Sequence, residues 1–265
     1  MAFYLIAPAP MYREKVAPAQ RLDGDETIGA PHCPPALVTC DNVPTIQPHS
    51  ERPAMTARLI VMDIDSTLIN QEVIDLLGEE AGVGGQVARI TERAMRGELD
   101  FKQALEERVG LLAGLDESVF ERTFERVTFT PGALELVRSA HSKGWKVGVV
   151  SGGFHEVADK IVAAAGIDFC LANRLEVVDG KLTGKLAADI VTKESKLIQL
   201  LDWAVECGVD MAHTVAIGDG ANDIPMIQAA GTGIAFCAKP KTREAAPFAI
   251  DERNLMLAMD IILRD

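Results

Sequence analysis

The stretch that most constrains the fold of this chain is residues 59–70, with the sequence LIVMDIDSTLIN. Four consecutive apolar residues bounded by polar ones predict a buried strand, residues 59–64, of a parallel sheet. Asp63 and Asp65 then lie at the carboxyl end of this strand, where open α/β sheets bind their ligands. Two carboxylates at this position favour a divalent cation that prefers oxygen ligands.

The composition of the whole chain excludes several classes of function. Its 265 residues, of which 48% are hydrophobic, suffice for one sizeable core with a smaller appendage. The formal net charge of −13 argues against a nucleic-acid partner, although a small anionic ligand needs only a few local cations. No apolar run reaches the roughly 20 residues of a membrane helix. Because no secretory signal is evident and the five cysteines are scattered, we expect a reduced, cytoplasmic protein without a membrane partner.

Three regions are predicted along the chain. Residues 1–57 contain most of the prolines and are expected to be irregular, because proline interrupts both helices and sheets. Residues 71–126 show helical spacing of apolar residues and no convincing strand, which predicts an inserted helical cap. Residues 58–70 and 127–265 alternate strands with helices, which predicts an α/β core with a parallel sheet and helices on both faces.

Local signals place the elements of this core. Pro131-Gly132 opens a helix over Ala133–Ser142, and Asp179-Gly180 is a hairpin signal. Further strands are expected in WKVGVVSGG, in HTVAIGDGAND and at residues 233–236 and 248–250, and further helices at residues 153–165, 193–206, 224–230 and 254–262.

Polar residues lie at or near the ends of several of these elements. They are Asp63 and Asp65, Ser151 with Gly152, a lysine near residues 193–196, and Asp219 with Asn222 and Asp223. In this order they resemble the motif series of the haloacid dehalogenase-like phosphatases, as DIDST, the serine of VVSGG, a lysine and GDGAND. The resemblance covers roughly residues 58–265. It implies a Rossmann-like core with a cap, and hydrolysis of a phosphomonoester with Mg²⁺ as the cofactor.

The residue types suit this chemistry. A carboxylate nucleophile, here Asp63, splits the hydrolysis into two displacements, and Asp65 can serve as the acid and then the base. The family pattern assigns the metal to the Asp63 side chain, the main-chain carbonyl of Asp65 and Asp219, with Asp223 beside them. Ser151 and the Gly152 N–H would hold phosphoryl oxygens at the start of a helix.

The lysine of the third motif has three candidates, which are Lys185, Lys193 and Lys196. The segment DIVTKESK is similar to the stretch of the family that ends in the catalytic lysine, which favours Lys196 over Lys193. Asn222 is expected to bind the substrate, with helix capping as the alternative.

Within the family, the motifs and the cap residues are most similar to those of members that hydrolyse phosphoserine. This hydrolysis is the last step of serine biosynthesis. Glu72 and Arg108 match the family positions that bind the ammonium and carboxylate groups of that substrate, a task suited to an acid and a bidentate arginine. The alternative for Glu72 is a residue in the first turn of a helix that complements the helix dipole, and the alternative for Arg108 is a solvated residue on a polar helix face. Met95 and Phe101 match apolar residues at the entrance, or alternatively belong to the core.

Two other functions remain open at this stage. The same scaffold could act on another small phosphomonoester or pass the phosphoryl group to an alcohol, or it could be a non-catalytic phosphate-binding module. The sequence does not specify an oligomeric state.

Overall fold

The computed structural model describes residues 58–264, and the segment predicted to be irregular, residues 1–57, lies outside the described residues. The strands are β1 (Leu59–Met62), β2 (Lys146–Phe154), β3 (Phe169–Asn173), β4 (Leu175–Val178), β5 (Lys181–Leu186), β6 (Thr214–Gly218), β7 (Thr232–Phe236) and β8 (Phe248–Ile250). The helices are α1 (Val73–Glu80), α2 (Gly84–Met95), α3 (Phe101–Gly110), α4 (Val119–Glu125), α5 (Ala133–Ser142), α6 (His155–Ala165), α7 (Lys193–Glu206), α8 (Ile224–Ala229), α9 (Pro240–Ala245) and α10 (Leu257–Ile262).

Within residues 58–264, six strands form one parallel sheet in the order β3-β2-β1-β6-β7-β8. The chain builds one side of the sheet from β1 through β2 and β3, and the other side from β6 onward. The direction of winding therefore reverses between β1 and β6. The crevice beyond the carboxyl ends of these two strands is the topological switch point, where such sheets bind ligands. The predicted Rossmann-like α/β core is confirmed.

The side chains of β1 point alternately to the two faces of the sheet, and both faces are covered by apolar residues. Ile60 and Met62 belong to one buried cluster, which includes apolar residues of α5, α6 and α10. Leu59 and Val61 belong to a second cluster, in which they are grouped with Leu200 of α7. Successive side chains of a strand point to opposite faces, so a strand that is apolar throughout requires helices on both sides.

The helices α1 to α4 lie between β1 and α5, in residues 71–126, which we call the helical insertion. Its two connections to the sheet run side by side, because the Asn70 N–H donates to the Thr128 carbonyl at 3.0 Å and the Thr130 N–H to the Leu68 carbonyl at 3.0 Å. Among residues 58–264, no helix is long and apolar enough to cross a membrane.

The predicted hairpin is present as β4 and β5, with Asp179 and Gly180 in the left-handed conformation (φ of 50° and 73°) that a two-residue turn requires. It contacts the helical insertion, since the Gly114 N–H donates to the Leu182 carbonyl and the Leu182 N–H to the Leu115 carbonyl, both at 2.8 Å. A strand that lies next to this hairpin in sequence, β3, and the six-residue α9 have no counterpart in the predicted elements.

Candidate active site at the carboxyl ends of the strands

The residues predicted from the motifs converge at the switch point. A cavity of about 840 Å³ opens there between the sheet and the helical insertion. Its lining includes Asp63, Asp65, Glu72, Arg108, Gly152, Asp219 and Asn222. The two remaining predicted residues, Ser151 and Lys196, are buried directly behind Asp65 and Asp63, which they contact.

Asp63, the first residue after β1, belongs to a buried cluster of charged side chains. Nζ of Lys196 lies 2.9 Å from Oδ1 of Asp63 and 2.7 Å from Oδ1 of Asp223, and only 1% of the lysine is exposed. The Ile64 N–H also donates to Oδ1 of Asp63, at 2.9 Å. Burial would lower the pKa of Lys196, but the two carboxylates outweigh it and raise this pKa above its ordinary value. The lysine therefore stays charged beside the nucleophile candidate.

Lys196 is thus the lysine that the structure brings to Asp63. Lys193 lies one turn earlier in α7, where its exposed ammonium pairs with Glu194 at 3.6 Å. Thr192 caps this helix by accepting a hydrogen bond from the Ser195 N–H, which fixes the start of the turn that carries Lys196.

Asp65 occupies a different environment two residues after Asp63. One of its oxygens, Oδ2, accepts a hydrogen bond from the Ser151 hydroxyl at 2.9 Å, and the other, Oδ1, accepts one from the Val73 N–H at 2.8 Å. Burial, followed by the negative charge of Glu72, raises the pKa of Asp65 to about 7. A carboxyl group with a pKa near neutrality can both give and take a proton.

Glycine shapes the end of β2 that follows Ser151. A Cβ at Gly153 would lie 2.8 Å from Oδ2 of Asp65 and 3.0 Å from the Ser151 hydroxyl oxygen, so a side chain there would displace one of them. A Cβ at Gly152 would lie 3.4 Å from the ring of Phe101, which places Phe101 of the helical insertion against the end of this strand. The Gly153 N–H donates to the Ser151 hydroxyl oxygen at 2.8 Å.

Three aspartates near the switch point could hold a metal ion. Asp63, Asp219 and Asp223 each offer a carboxylate oxygen, and these oxygens lie within 4.8 Å of one another. Both oxygens of Asp223 already accept hydrogen bonds, from Lys196 and from the Gly220 N–H. Burial raises the pKa of Asp219 to about 6, although Lys239 lies 3.9 Å away and opposes the shift. Buried carboxylates with raised pKa values fit a hard divalent cation.

The helical insertion supplies the other side of the cavity. Oε1 of Glu72 accepts a hydrogen bond from the Ser66 hydroxyl at 2.6 Å. The guanidinium of Arg108 donates to the Ala104 carbonyl at 3.1 Å and to the Thr91 hydroxyl oxygen at 3.5 Å. It forms no salt bridge with a carboxylate of residues 58–264. Burial lowers the pKa of Arg108, while the charges of Asp75 and Glu72 oppose this shift.

The apolar residues at the rim are exposed and do not belong to the core. Met95 is 78% exposed and Phe101 is 42% exposed, and both line the cavity. Large apolar side chains that remain in water beside a polar cavity are suited to covering a ligand.

Two further residues near the site were not predicted from the sequence. Asn173, at the end of β3, donates to the Gly152 carbonyl and accepts from the Val191 N–H, both at 2.8 Å, and so links the end of β2 to the residues just before α7. Lys239 follows β7 and lines the cavity near Asp219. Both lie just at or beyond the carboxyl end of a strand, so the rule that identified Asp63 and Asp219 applies to them as well.

Comparison with known proteins gives concordant matches. A profile of the haloacid dehalogenase-like hydrolase family matches residues 60–228. The chain is 60% identical over 204 residues to a phosphoserine phosphatase of Streptococcus thermophilus, which covers 77% of this chain and 95% of the relative.

Two solved structures are similar as well. The first is a phospho-aspartyl intermediate analogue of phosphoserine phosphatase, with a TM-score of 0.73 and 43% identity over 78% of this chain and 99% of that one. The second is a substrate-bound phosphoserine phosphatase complex, with a TM-score of 0.74 and 43% identity over 78% of this chain and 98% of that one. Because the profile matches more than half of the chain and a relative is 60% identical over 95% of its own length, the chain belongs to the haloacid dehalogenase-like hydrolase family.

Proposed function

We propose that this protein hydrolyses O-phospho-L-serine to L-serine and phosphate through a phosphorylated Asp63. The observation that carries the proposal is the pairing of two sites in one cavity. Asp63 and Asp65 line it from the sheet, and Glu72 and Arg108 line it from the helical insertion. Among the described residues Arg108 forms no salt bridge with a carboxylate. The names of the similar proteins support the same substrate.

Substrate recognition follows from charge. The guanidinium of Arg108 would bind the serine carboxylate, and the carboxylate of Glu72 would bind the ammonium group. Ser66 holds Oε1 of Glu72, so Glu72 is oriented before the substrate arrives. Asn222, which lines the cavity beside Asp219, would contact the substrate from the sheet side.

In the first displacement, the carboxylate of Asp63 attacks phosphorus and the bond from phosphorus to the seryl oxygen breaks. Lys196 and the Gly152 N–H would bind phosphoryl oxygens and stabilise the charge that they gain. The Ser151 hydroxyl rotates from Asp65 toward the phosphate while it still accepts from Gly153. Asp65 then gives its proton to the seryl oxygen, which leaves as the hydroxyl of serine.

In the second displacement, Asp65 works in the opposite direction. As a carboxylate it takes a proton from a water molecule, which attacks phosphorus and releases Asp63 as a carboxylate and inorganic phosphate. A pKa of about 7 lets the same group complete both proton transfers near neutral pH.

Asp63 and Asp219, with the main-chain carbonyl of Asp65, would hold Mg²⁺. The carboxylate oxygens of Asp63 and Asp219 lie within 4.8 Å of one another and fit such an ion, while both oxygens of Asp223 are engaged by Lys196 and Gly220. When bound, the ion would supply positive charge that offsets the repulsion between phosphate and the nucleophile.

The helical insertion, residues 71–126, would act as a cap on the core formed by residues 58–70 and 127–265. Phe101 already lies against Gly152, and Met95 remains exposed at the rim. Closure of these side chains over the substrate would exclude bulk water before Asp63 attacks.

The test is steady-state phosphate release from L-phosphoserine, with Mg²⁺ and with EDTA, against a panel that includes glycerol 3-phosphate and glucose 6-phosphate. Two charge-assisted contacts predict a preference in kcat/KM of about 100-fold for phosphoserine over glycerol 3-phosphate. Equal rates for the two compounds would point to another small phosphomonoester.

Asp63→Asn tests the mechanism, because the amide cannot form the aspartyl-phosphate. We expect phosphate release to fall by several orders of magnitude. Asp202→Asn, on the exposed face of α7, is the matched control and should leave activity unchanged. Undiminished turnover by Asp63→Asn would rule out the mechanism, and absence of turnover in the unaltered protein on every phosphomonoester would favour a binding module.

A further inference from the structure

We propose that Arg253, which lies outside the cavity, is a positioning residue that sets the specificity of the site by holding Ser66 and, through it, Glu72. The proposal rests on the function proposed above. Arg253 follows β8 and does not line the cavity, and none of the motifs includes it. Its side-chain hydrogen bonds nevertheless all reach the loop that joins β1 to the helical insertion.

The guanidinium of Arg253 makes hydrogen bonds along this loop. Nε donates to Oδ1 of Asn70 at 2.7 Å, and Nη2 donates to the carbonyls of Ser66 at 3.4 Å and Ile69 at 3.3 Å. Its carbon Cζ lies 6.0 Å from the centre of the Phe236 ring in β7. The planar fork of an arginine can satisfy several acceptors from one fixed position, which the single ammonium of a lysine cannot do.

Ser66 needs such support because its backbone is strained. Its φ of 56° lies in the left-handed region that residues other than glycine rarely adopt. Such a conformation persists only where the surroundings hold it, and it is typical of functional sites. All three polar groups of Ser66 are engaged: its N–H donates to the Gln71 carbonyl at 3.2 Å, its carbonyl accepts from Arg253, and its hydroxyl donates to Glu72.

The hydrogen bond from Ser66 to Glu72 links the loop to substrate specificity. The Ser66 hydroxyl holds Oε1 of Glu72 at 2.6 Å, and Oε2 accepts no hydrogen bond from residues 58–264. The loop conformation thus decides where the free oxygen of Glu72 is presented to an ammonium group. Arg253 fixes that conformation from the side of the sheet.

The reacting groups are held by other contacts. Lys196 and Ile64 orient Asp63, and Ser151 and Val73 orient Asp65. None of these contacts involves Arg253. Its removal should therefore weaken recognition of the amino acid while it leaves phosphate binding intact.

The experiment measures three constants for the Mg²⁺-loaded protein and for Arg253→Met: KM for L-phosphoserine, and the inhibition constants of L-serine and of inorganic phosphate. We expect KM and the serine constant to rise about tenfold, and the phosphate constant to change by less than about twofold. Arg243→Met is the matched control, because Arg243 pairs with Asp251 two residues before Arg253 and contacts no residue of the 66–70 loop. It should change none of the three constants.

Three further variants keep the result interpretable. Arg253→Lys retains the charge and should shift the same constants in the same direction if Arg253→Met does not fold. Ser66→Ala and the double variant Ser66→Ala/Arg253→Met should show equal serine constants, because both residues act through one contact to Glu72.

Equal weakening of serine and phosphate binding, an additive double variant, or no change in Arg253→Met would each overturn the proposal. A wild-type protein that neither turns over phosphoserine nor binds L-serine would instead contradict the proposed function, so the two failures are distinguishable.

Discussion

At the amino ends of the parallel strands, Asp168 accepts hydrogen bonds from Lys146 at 2.5 Å, from the Val147 N–H at 2.9 Å and from His141 at 2.8 Å. Burial raises the pKa of Asp168, but these donors outweigh it and hold the pKa below its ordinary value. At the carboxyl ends, burial raises the pKa of Asp65 to about 7 and that of Asp219 to about 6.

The difference shows what each edge of the sheet contributes. At the amino edge, Asp168 accepts enough hydrogen bonds to stabilise its charged form. Asp168 therefore contributes to the stability of the folded state. The carboxyl edge buries several carboxylates with fewer donors, which costs stability but leaves groups that can bind a cation and transfer protons. Four substitutions, taken from the largest expected effect to the smallest, test this comparison.

Lys196→Met removes the only cation within 4.0 Å of Asp63 among the described residues. Because Asp63 and Asp223 would then be buried without a counter-charge, we expect the free energy of unfolding to fall by about 3–5 kcal/mol and phosphate release to be lost. Urea denaturation and a phosphate assay measure the two effects. Lys193→Met, one turn earlier and exposed, should change stability by less than about 0.5 kcal/mol. A larger loss of activity in Lys193→Met would make Lys193 the phosphate-binding lysine.

Gly153→Ala places a methyl group against Asp65 and Ser151 without removing either residue. Displacement of Asp65, the proposed acid and base, should lower kcat by about 100-fold. The control is Gly85→Ala in α2, where an added Cβ meets no atom within 4 Å, so activity should be unchanged. If kcat in Gly153→Ala equals that of the unaltered protein, the position of Asp65 does not limit the reaction.

Asp168→Asn tests the amino edge. The amide loses the charge that Lys146 stabilises, and we expect the free energy of unfolding at pH 7 to fall by about 2 kcal/mol. Because the folded pKa lies below the unfolded value, this contribution is present above about pH 4 and is lost as the pH falls through the folded pKa. Denaturant unfolding from pH 3 to pH 7 should therefore give a flatter profile for the variant, with activity at pH 7 retained. A steeper profile would contradict the assignment.

When EDTA removes divalent cations, Asp219→Asn should raise the free energy of unfolding, whereas Asp168→Asn should lower it. A folded pKa of about 6 means that the folded state binds more protons than the unfolded state between about pH 4 and pH 6, so ionised Asp219 destabilises the fold above this range. We expect the variant to gain about 1 kcal/mol at pH 7. The same protein should lose phosphatase activity. A loss of stability in EDTA would show that Asp219 is as well satisfied as Asp168.

Much of the architecture could be predicted from local patterns. Ala133–Ser142 and Lys193–Glu206 begin and end where the sequence signals place them, and Asp179-Gly180 forms the expected hairpin turn. The strand β3 was missed because FCLAN is short and only partly buried, and α9 because it has six residues and begins with proline. The final helix begins at Leu257 rather than at residue 254.

The sequence by itself determined where the candidate site lies, beginning with LIVMDIDSTLIN. Apolar strand segments lead into Asp63, Ser151 and Asp219, and they bring these residues together because the carboxyl ends of parallel strands meet at one edge of the sheet. The segment DIVTKESK favoured Lys196, but only the tertiary structure shows that Lys196 rather than Lys193 faces Asp63, since both share one helix and packing buries one of them. The raised pKa of Asp65 likewise depends on burial, which no local pattern encodes. The hydrogen bond from Arg253 to the Ser66 carbonyl joins residues far apart in sequence, so no local pattern encodes it either.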